Sequence, residues 1–287
     1  MVIKMKKLSF LAPLLGCTAI NKTDHESLIA SLQNNESDSG IEQDTSAEPE
    51  DTSIDPGLRN SHFIDFSEDN HYIALGEVED LSVVLDWTKN WSISFYLPHA
   101  LSPTDGALTL MRNGENWIGL SPNEDSFDVY LSNQGDSDND IVVAEASETL
   151  EEHCRITFTH RANTSEMRLY INGRRIDDFV IEPPENNGDI GEISIGQSTG
   201  TTRARNWLSG LDNMFVTNSV LSRSEIGLAV SEDGPGASGD ISQHAWYTNV
   251  VVGWWLMGED TFPTVYDLKY GNHGSFENGV EDNFVSY

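Results

Sequence analysis

Beyond Ser61 the chain is dominated by short stretches in which apolar and polar residues alternate. A period of two is the mark of a strand with one buried face. Met167, Leu169 and Ile171 alternate with Arg168, Tyr170 and Asn172. Asn172-Gly173 follows as a hairpin turn, because both residues tolerate positive φ. Ile193 and Ile195 alternate again up to Gly196, and Leu208 to Thr217 supplies another strand. Upstream, the same pattern predicts strands at His62–Phe66, Tyr72–Gly76 and Trp91–Leu97, the last stopped by Pro98. Others are predicted at Leu108–Arg112, Trp117–Leu120, Phe127–Leu131, Ile141–Ala144 and Arg155–His160. Turn residues recur every ~8–12 positions, the spacing of a β-sandwich. A single short helix is predicted over Ser224–Ser231, capped by Ser222 or Ser224, with Gly234 beyond its end.

Two regions break this texture. Residues 18–57 are polar and acidic, and from Asn21 to Gly57 they include Lys22 but no other Lys or Arg. So little apolar surface cannot offset the entropy of ordering, which predicts a disordered, self-repelling tether. Before it, residues 1–17 carry Lys4, Lys6 and Lys7 ahead of the apolar run Leu8–Leu15. Leu14-Leu15-Gly16-Cys17 resembles a bacterial lipobox, which implies lipidation of Cys17 and an outer-membrane lipoprotein at the cell surface. The alternative is an uncleaved apolar arm packed on a partner, as on a virion surface. At the other end, the Gly/Pro/Ser-rich joint 232–240 separates the sandwich, 58–231, from a last segment, 241–287. Val250 to Gly258 is almost wholly apolar, yet the segment is too short for its own core. It is expected to dock on the sandwich or on a partner, virion or homo-oligomer. Trp254 and Trp255, being adjacent, point to opposite faces if extended.

Charge narrows the function. The 287 residues include 47 acidic against 16 basic, a formal net charge of −31. Such a chain repels nucleic acid and anionic membranes. Of its two cysteines, Cys17 and Cys154, the first is committed if lipidated, leaving no disulfide. No apolar run reaches the ~20 residues that span a bilayer.

Four segments, in order, resemble one family. They are Phe66…Tyr72-Ile-Ala-Leu75-Gly76, Trp91-Ser-Ile-Ser-Phe95, Leu169-Tyr-Ile-Asn-Gly173, and Ile193-Ser-Ile-Gly196 followed by Leu208-Ser-Gly210-Leu-Asp212 and Leu221-Ser222…Glu225-Ile226. They are similar to the laminin-G-like, concanavalin A-like lectin/glucanase superfamily over about residues 60–231. The resemblance implies an all-β jelly-roll sandwich that recognises carbohydrate. The family's Trp-x-His is replaced by His153-Cys154-Arg155, with Cys154 expected as a small buried residue. The last segment, Val252-Gly253-Trp254-Trp255 through Gly271-Asn-His-Gly274, is similar to pieces that close laminin-G-like proteins of tailed phages and marine viruses.

Candidate chemistry is sparse. Glycoside hydrolases of this superfamily carry two carboxylates on one strand, about 5 Å apart for retention. No credible strand here has that spacing, so catalysis is not expected. The aromatic candidates for stacking on sugars are Trp117 beside Asn116, Trp207 beside Asn206 and Arg205, and Trp246, each weighed against simple core packing. Asp136, Asp138 and Asp140 alternate as Ca²⁺ ligands can, although Ile141 stands where an EF-hand needs Gly. The plain reading is a solvated loop, while the resemblance implies one Ca²⁺ on the sandwich rim. Asp212 is read as framework first and metal-linked second. The expectation is a non-catalytic, surface-displayed module that binds glycans or a surface polysaccharide. The alternative is a phage decoration or fibre component.

Overall fold

A computed structural model describes residues 62–66, 70–104, 107–133, 141–146, 150–180, 189–197, 204–233, 239–257 and 262–286. Cys17, the acidic segment and Asp136, Asp138 and Asp140 lie outside the described residues.

The strands are β1 (His62–Asp65), β2 (Tyr72–Gly76), β3 (Trp91–Leu97), β4 (Ala107–Asn113), β5 (Asn116–Pro122), β6 (Phe127–Asn133), β7 (Ile141–Ala146) and β8 (Cys154–Arg161). They continue as β9 (Glu166–Ile171), β10 (Arg174–Val180), β11 (Ile193–Ile195), β12 (Ala204–Arg205) and β13 (Gly210–Thr217). Helix α1 (Arg223–Val230) and the single turn α2 (Tyr247–Val250) precede β14 (Val251–Trp255), β15 (Thr264–Val265), β16 (Gly274–Glu277) and β17 (Phe284–Ser286).

They form two sheets. The first runs β10-β9-β8-β3-β13-β1-β17, with β14 beside the far half of β13. The second runs β15-β16-β2-β11-β4-β5-β6-β7, with β12 parallel to β4. The inner faces meet in one core, to which Ile93, Phe95, Ile118, Leu120, Phe158, Leu169 and Leu211 contribute. This is the β-sandwich that the alternation predicts, in the jelly-roll form that the family resemblance implies.

Local chemistry sets the joints. Asn172 and Gly173 both take positive φ, 49° and 72°, and bring Ile171 opposite Arg174. The Asn172 side chain also accepts a hydrogen bond from the Arg155 amide. Helix α1 starts at Ser222, whose hydroxyl accepts from the Glu225 amide while the Glu225 carboxylate accepts from the Ser222 amide.

The segment from Ile241 onward enters both sheets. Strand β14 pairs with β13, β17 with β1 and β16 with β2. Trp255 faces the core between the sheets, and Trp254 faces the opposite side. There Trp254 joins Tyr170, Phe215, Leu221, Ile226, Trp246 and Tyr247 in a second cluster, so α1 and the C-terminal segment cover the part of the first sheet's outer face around β13 and Tyr170.

A polar lock ties this cover down. Arg155 is fully buried, and its guanidinium donates to both carboxylate oxygens of Asp233, just past α1. It also donates to Ser94 Oγ and to the Asn213 carbonyl. Asn213 Nδ2 donates to Asp233, and Trp254 Nε1 donates to Asn213 Oδ1 at 3.1 Å. Burial pushes the Asp233 carboxyl above the usual range, against the pull of the Arg155 guanidinium.

Candidate functional site

With part of the first sheet covered, the outer face of the second is a candidate surface for a ligand. Its composition follows from strand parity. Ile193 and Ile195 point into the core, so Ser194 points out; likewise Thr109 lies between the core residues Leu108 and Leu110. Trp117 precedes the core residue Ile118 and belongs to neither apolar cluster. The register aligns these residues across neighbouring strands as Thr264, Ser275, Ala74, Ser194, Arg112 and Trp117. Gly119, Tyr130, Ser121 and Asp128 lie in the adjoining rows.

This face has a buried floor and a half-exposed upper layer. Thr109 and Trp117 are fully buried and Ser194 nearly so. The Trp117 ring lies over Gly119, where a Cβ would come within 2.8 Å of Cζ3. Thr109 Oγ1, Trp117 Nε1 and Ser194 Oγ are three buried polar atoms without a hydrogen-bond partner. Above them Arg112, Ser121, Asp128 and Tyr130 are half-buried. Arg112 uses Nε to donate to the Gly114 carbonyl at 2.5 Å. Tyr130 donates to Asp128 at 3.5 Å.

The residues expected to stack on sugars do not do so. Trp207 is fully buried in the core, edge-on to Phe95 at 5.9 Å, and its amide donates to the Gly196 carbonyl. Trp117 is equally buried, and a ring with no exposed face cannot stack on a ligand. Both expectations are therefore corrected: core and floor packing win for these large rings. Trp246 is nearly buried and stacks on His244. Asn206 is turned inward, donating to the His71 carbonyl at 3.3 Å. Arg205 sits on β12 in register with Leu108 of β4, and its side chain is outside the described residues. Asp212 is buried and accepts from the Asn213 amide. Among the described residues no three His, Cys, Asp or Glu groups converge as metal ligands.

What the sequence reading missed is an exposed loop. The β15–β16 connection carries Tyr266 and Tyr270, 38% and 53% exposed, two of the three exposed large apolar residues among those described.

A family model for the concanavalin A-like lectin/glucanases superfamily matches residues 67–227, more than half of the chain. The chain belongs to that superfamily. The match ends within α1, so β14 to β17 complete the superfamily sandwich from beyond it. Among curated proteins no sequence relative matches the chain. Similar solved structures include a presumed carbohydrate-binding protein of Bacteroides ovatus, at 14% identity and TM-score 0.48 over 77% of this chain. This chain spans 59% of that protein's length. The CBM40 of a Ruminococcus gnavus IT-sialidase, bound to α2,3-sialyllactose, aligns at 16% identity and TM-score 0.45, over 60% of this chain and 99% of its own. A heptameric pentraxin of Limulus polyphemus aligns at 14% and 0.40, over 62% and 84%. At these identities no ligand chemistry transfers from them.

Proposed function

We propose that this chain is a non-catalytic glycan-binding module whose ligand lies across the outer face of the second sheet. The observation that carries it is that face itself. Arg112, Ser121, Asp128 and Tyr130 stand half-exposed on it, at neighbouring register positions of β4, β5 and β6. Sugar hydroxyls both donate and accept, and they suit a surface that mixes guanidinium, carboxylate, phenol and hydroxyl groups. Membership of a superfamily of lectins and glucanases supports carbohydrate as the ligand class. Helix α1 and the C-terminal segment take part of the outer face of the first sheet, which favours the second sheet as the binding face.

The test is a glycan microarray with the full chain, followed by calorimetry on the best hits. Arg112→Ala with Tyr130→Ala should weaken binding about tenfold or more while the unfolding midpoint stays within the range of ordinary surface changes. Unchanged binding in that pair sinks the assignment of the face. Turnover of a β-glucan or a similar polymer sinks the non-catalytic reading.

A further inference from the structure

The loop between β15 and β16 is built around one carboxylate. Asp267 is buried, and its Oδ1 accepts from the amides of Trp254 and Lys269 at 3.0 and 2.9 Å. Its Oδ2 accepts from the amides of Tyr270 and Asn272 at 3.3 and 3.2 Å. Four backbone donors on one side chain hold the turn in a single shape and fasten it to β14. The Lys269 ammonium donates to the carbonyls of Tyr247 and Thr248 and lies 4.1 Å from the Tyr247 ring centroid and 5.2 Å from that of Tyr270. The cation therefore steadies the base of Tyr270 from below.

On this fixed frame Tyr270 and Tyr266 stand out in solvent, and exposed His273 meets the Tyr266 ring edge at 4.8 Å. The Asp267 amide donates to His273 Nδ1, which is therefore the bare nitrogen of the ring. The other ring nitrogen, Nε2, then carries the N–H and is a donor available to a ligand. Asn272 Nδ2 is buried in the same turn without a hydrogen-bond partner. Two exposed rings and an imidazole donor, on a backbone that loses little freedom on binding, form a recognition surface.

We infer that this loop is a second binding surface, distinct from the sheet face, and that it takes an uncharged glycan. The rings offer stacking faces to pyranose carbons, and His273 Nε2–H serves hydroxyl or acetamido oxygens. The net charge of −31 disfavours sulfated or uronate-rich chains at a loop whose one cation among the described residues, Lys269, is already committed to carbonyls and rings. This reading stands whether or not the sheet face binds.

The test uses the full chain and two panels. One holds neutral probes (β-glucan, xylan and N-acetylglucosamine oligomers), the other sulfated and uronate-bearing oligosaccharides. The expected result is binding to a neutral probe that weakens about tenfold in Tyr266→Ala/Tyr270→Ala, with an unchanged unfolding midpoint, and that persists in Tyr266→Phe/Tyr270→Phe. Neutral-probe binding untouched by the double alanine variant overturns the inference, as does binding confined to the charged panel or to neither. Loss in Arg112→Ala/Tyr130→Ala alone overturns it while leaving the sheet-face assignment intact, and loss in the loop variant alone does the reverse.

Discussion

Asp267 and His160 show how single side chains hold this sandwich. Removing the Asp267 carboxylate orphans four amides, of which the Trp254 amide lies inside β14. A buried donor left unmade costs about 1–3 kcal/mol. Asp267→Ala should therefore lower stability by at least that amount in urea unfolding and disorder the tyrosine loop, whereas Tyr270→Ala should do neither. His160 is fully buried, stacked on Trp91 at 5.2 Å and edge-on to Trp87 at 5.4 Å. Its Nδ1–H donates to the Lys89 carbonyl at 2.9 Å. Burial holds its pKa below the ordinary 6.5, with Lys89 and Asp86 pulling the other way. The unfolded chain then takes up a proton before the folded one does. The contribution of neutral His160 is complete above about pH 6.5 and is lost as pH falls through that value toward the lower folded pKa. His160→Asn keeps a donor for Lys89 and cannot titrate. Comparing urea midpoints at pH 7.5 and pH 5.5 should give a smaller acid-side loss for this variant than for the wild type. An equal loss would place the proton uptake elsewhere.

Strands and turns were the most legible elements, because each is written locally. Period-two alternation located β2, β3, β5, β6, β8 and β9 within a few residues, and Asn172-Gly173 named its turn by the φ values that it requires. Adjacency alone put Trp254 and Trp255 on opposite faces. Alternation tells which side a residue faces, but not what covers that side. That is why Trp117 and Trp207 read as candidate ligand contacts and prove buried, while Tyr266 and Tyr270 drew no notice. Their exposure depends on a turn fastened by Asp267 to a strand thirteen residues earlier in the chain. The Arg155–Asp233 pair is equally invisible locally, since 78 positions separate its partners. Breaking a buried ion pair costs about 3–5 kcal/mol, because one charge stays behind without compensation. Asp233→Ala should cost that much in chemical denaturation, and Arg155→Met/Asp233→Leu clearly less. If the double variant loses as much as the single, packing rather than the stranded charge sets the cost. The start of α1 is a smaller matter: Ser222→Ala removes the cap and should cost about 1 kcal/mol.

For the whole molecule, the decisive feature is that the sandwich closes with strands from beyond the superfamily match. Strand β14 lies along β13 at the centre of the first sheet, β17 extends β1, and β16 extends β2 in the second. Four of the side chains delivered from this end, Trp254, Trp255, Val265 and Phe276, are buried to 2% exposure or less. Large apolar side chains are worth about 1.5–3 kcal/mol each when buried, so these four carry roughly 6–12 kcal/mol. That is comparable to the entire stability of an ordinary domain, about 5–15 kcal/mol. Cutting the chain at Gly239 should therefore leave no cooperative unfolding transition and an exposed edge on β1, β2 and β13, read by calorimetry and by dye binding to apolar surface. A peptide of residues 240–287 added in trans should restore the transition, since the lost contacts are strand pairing and burial with no covalent requirement. A truncated chain that melts cooperatively at the wild-type midpoint would make these strands an accessory and reduce the sandwich to the region matched by the family model. Under the burial arithmetic the opposite holds: the tyrosine loop is borne on a segment that the fold needs.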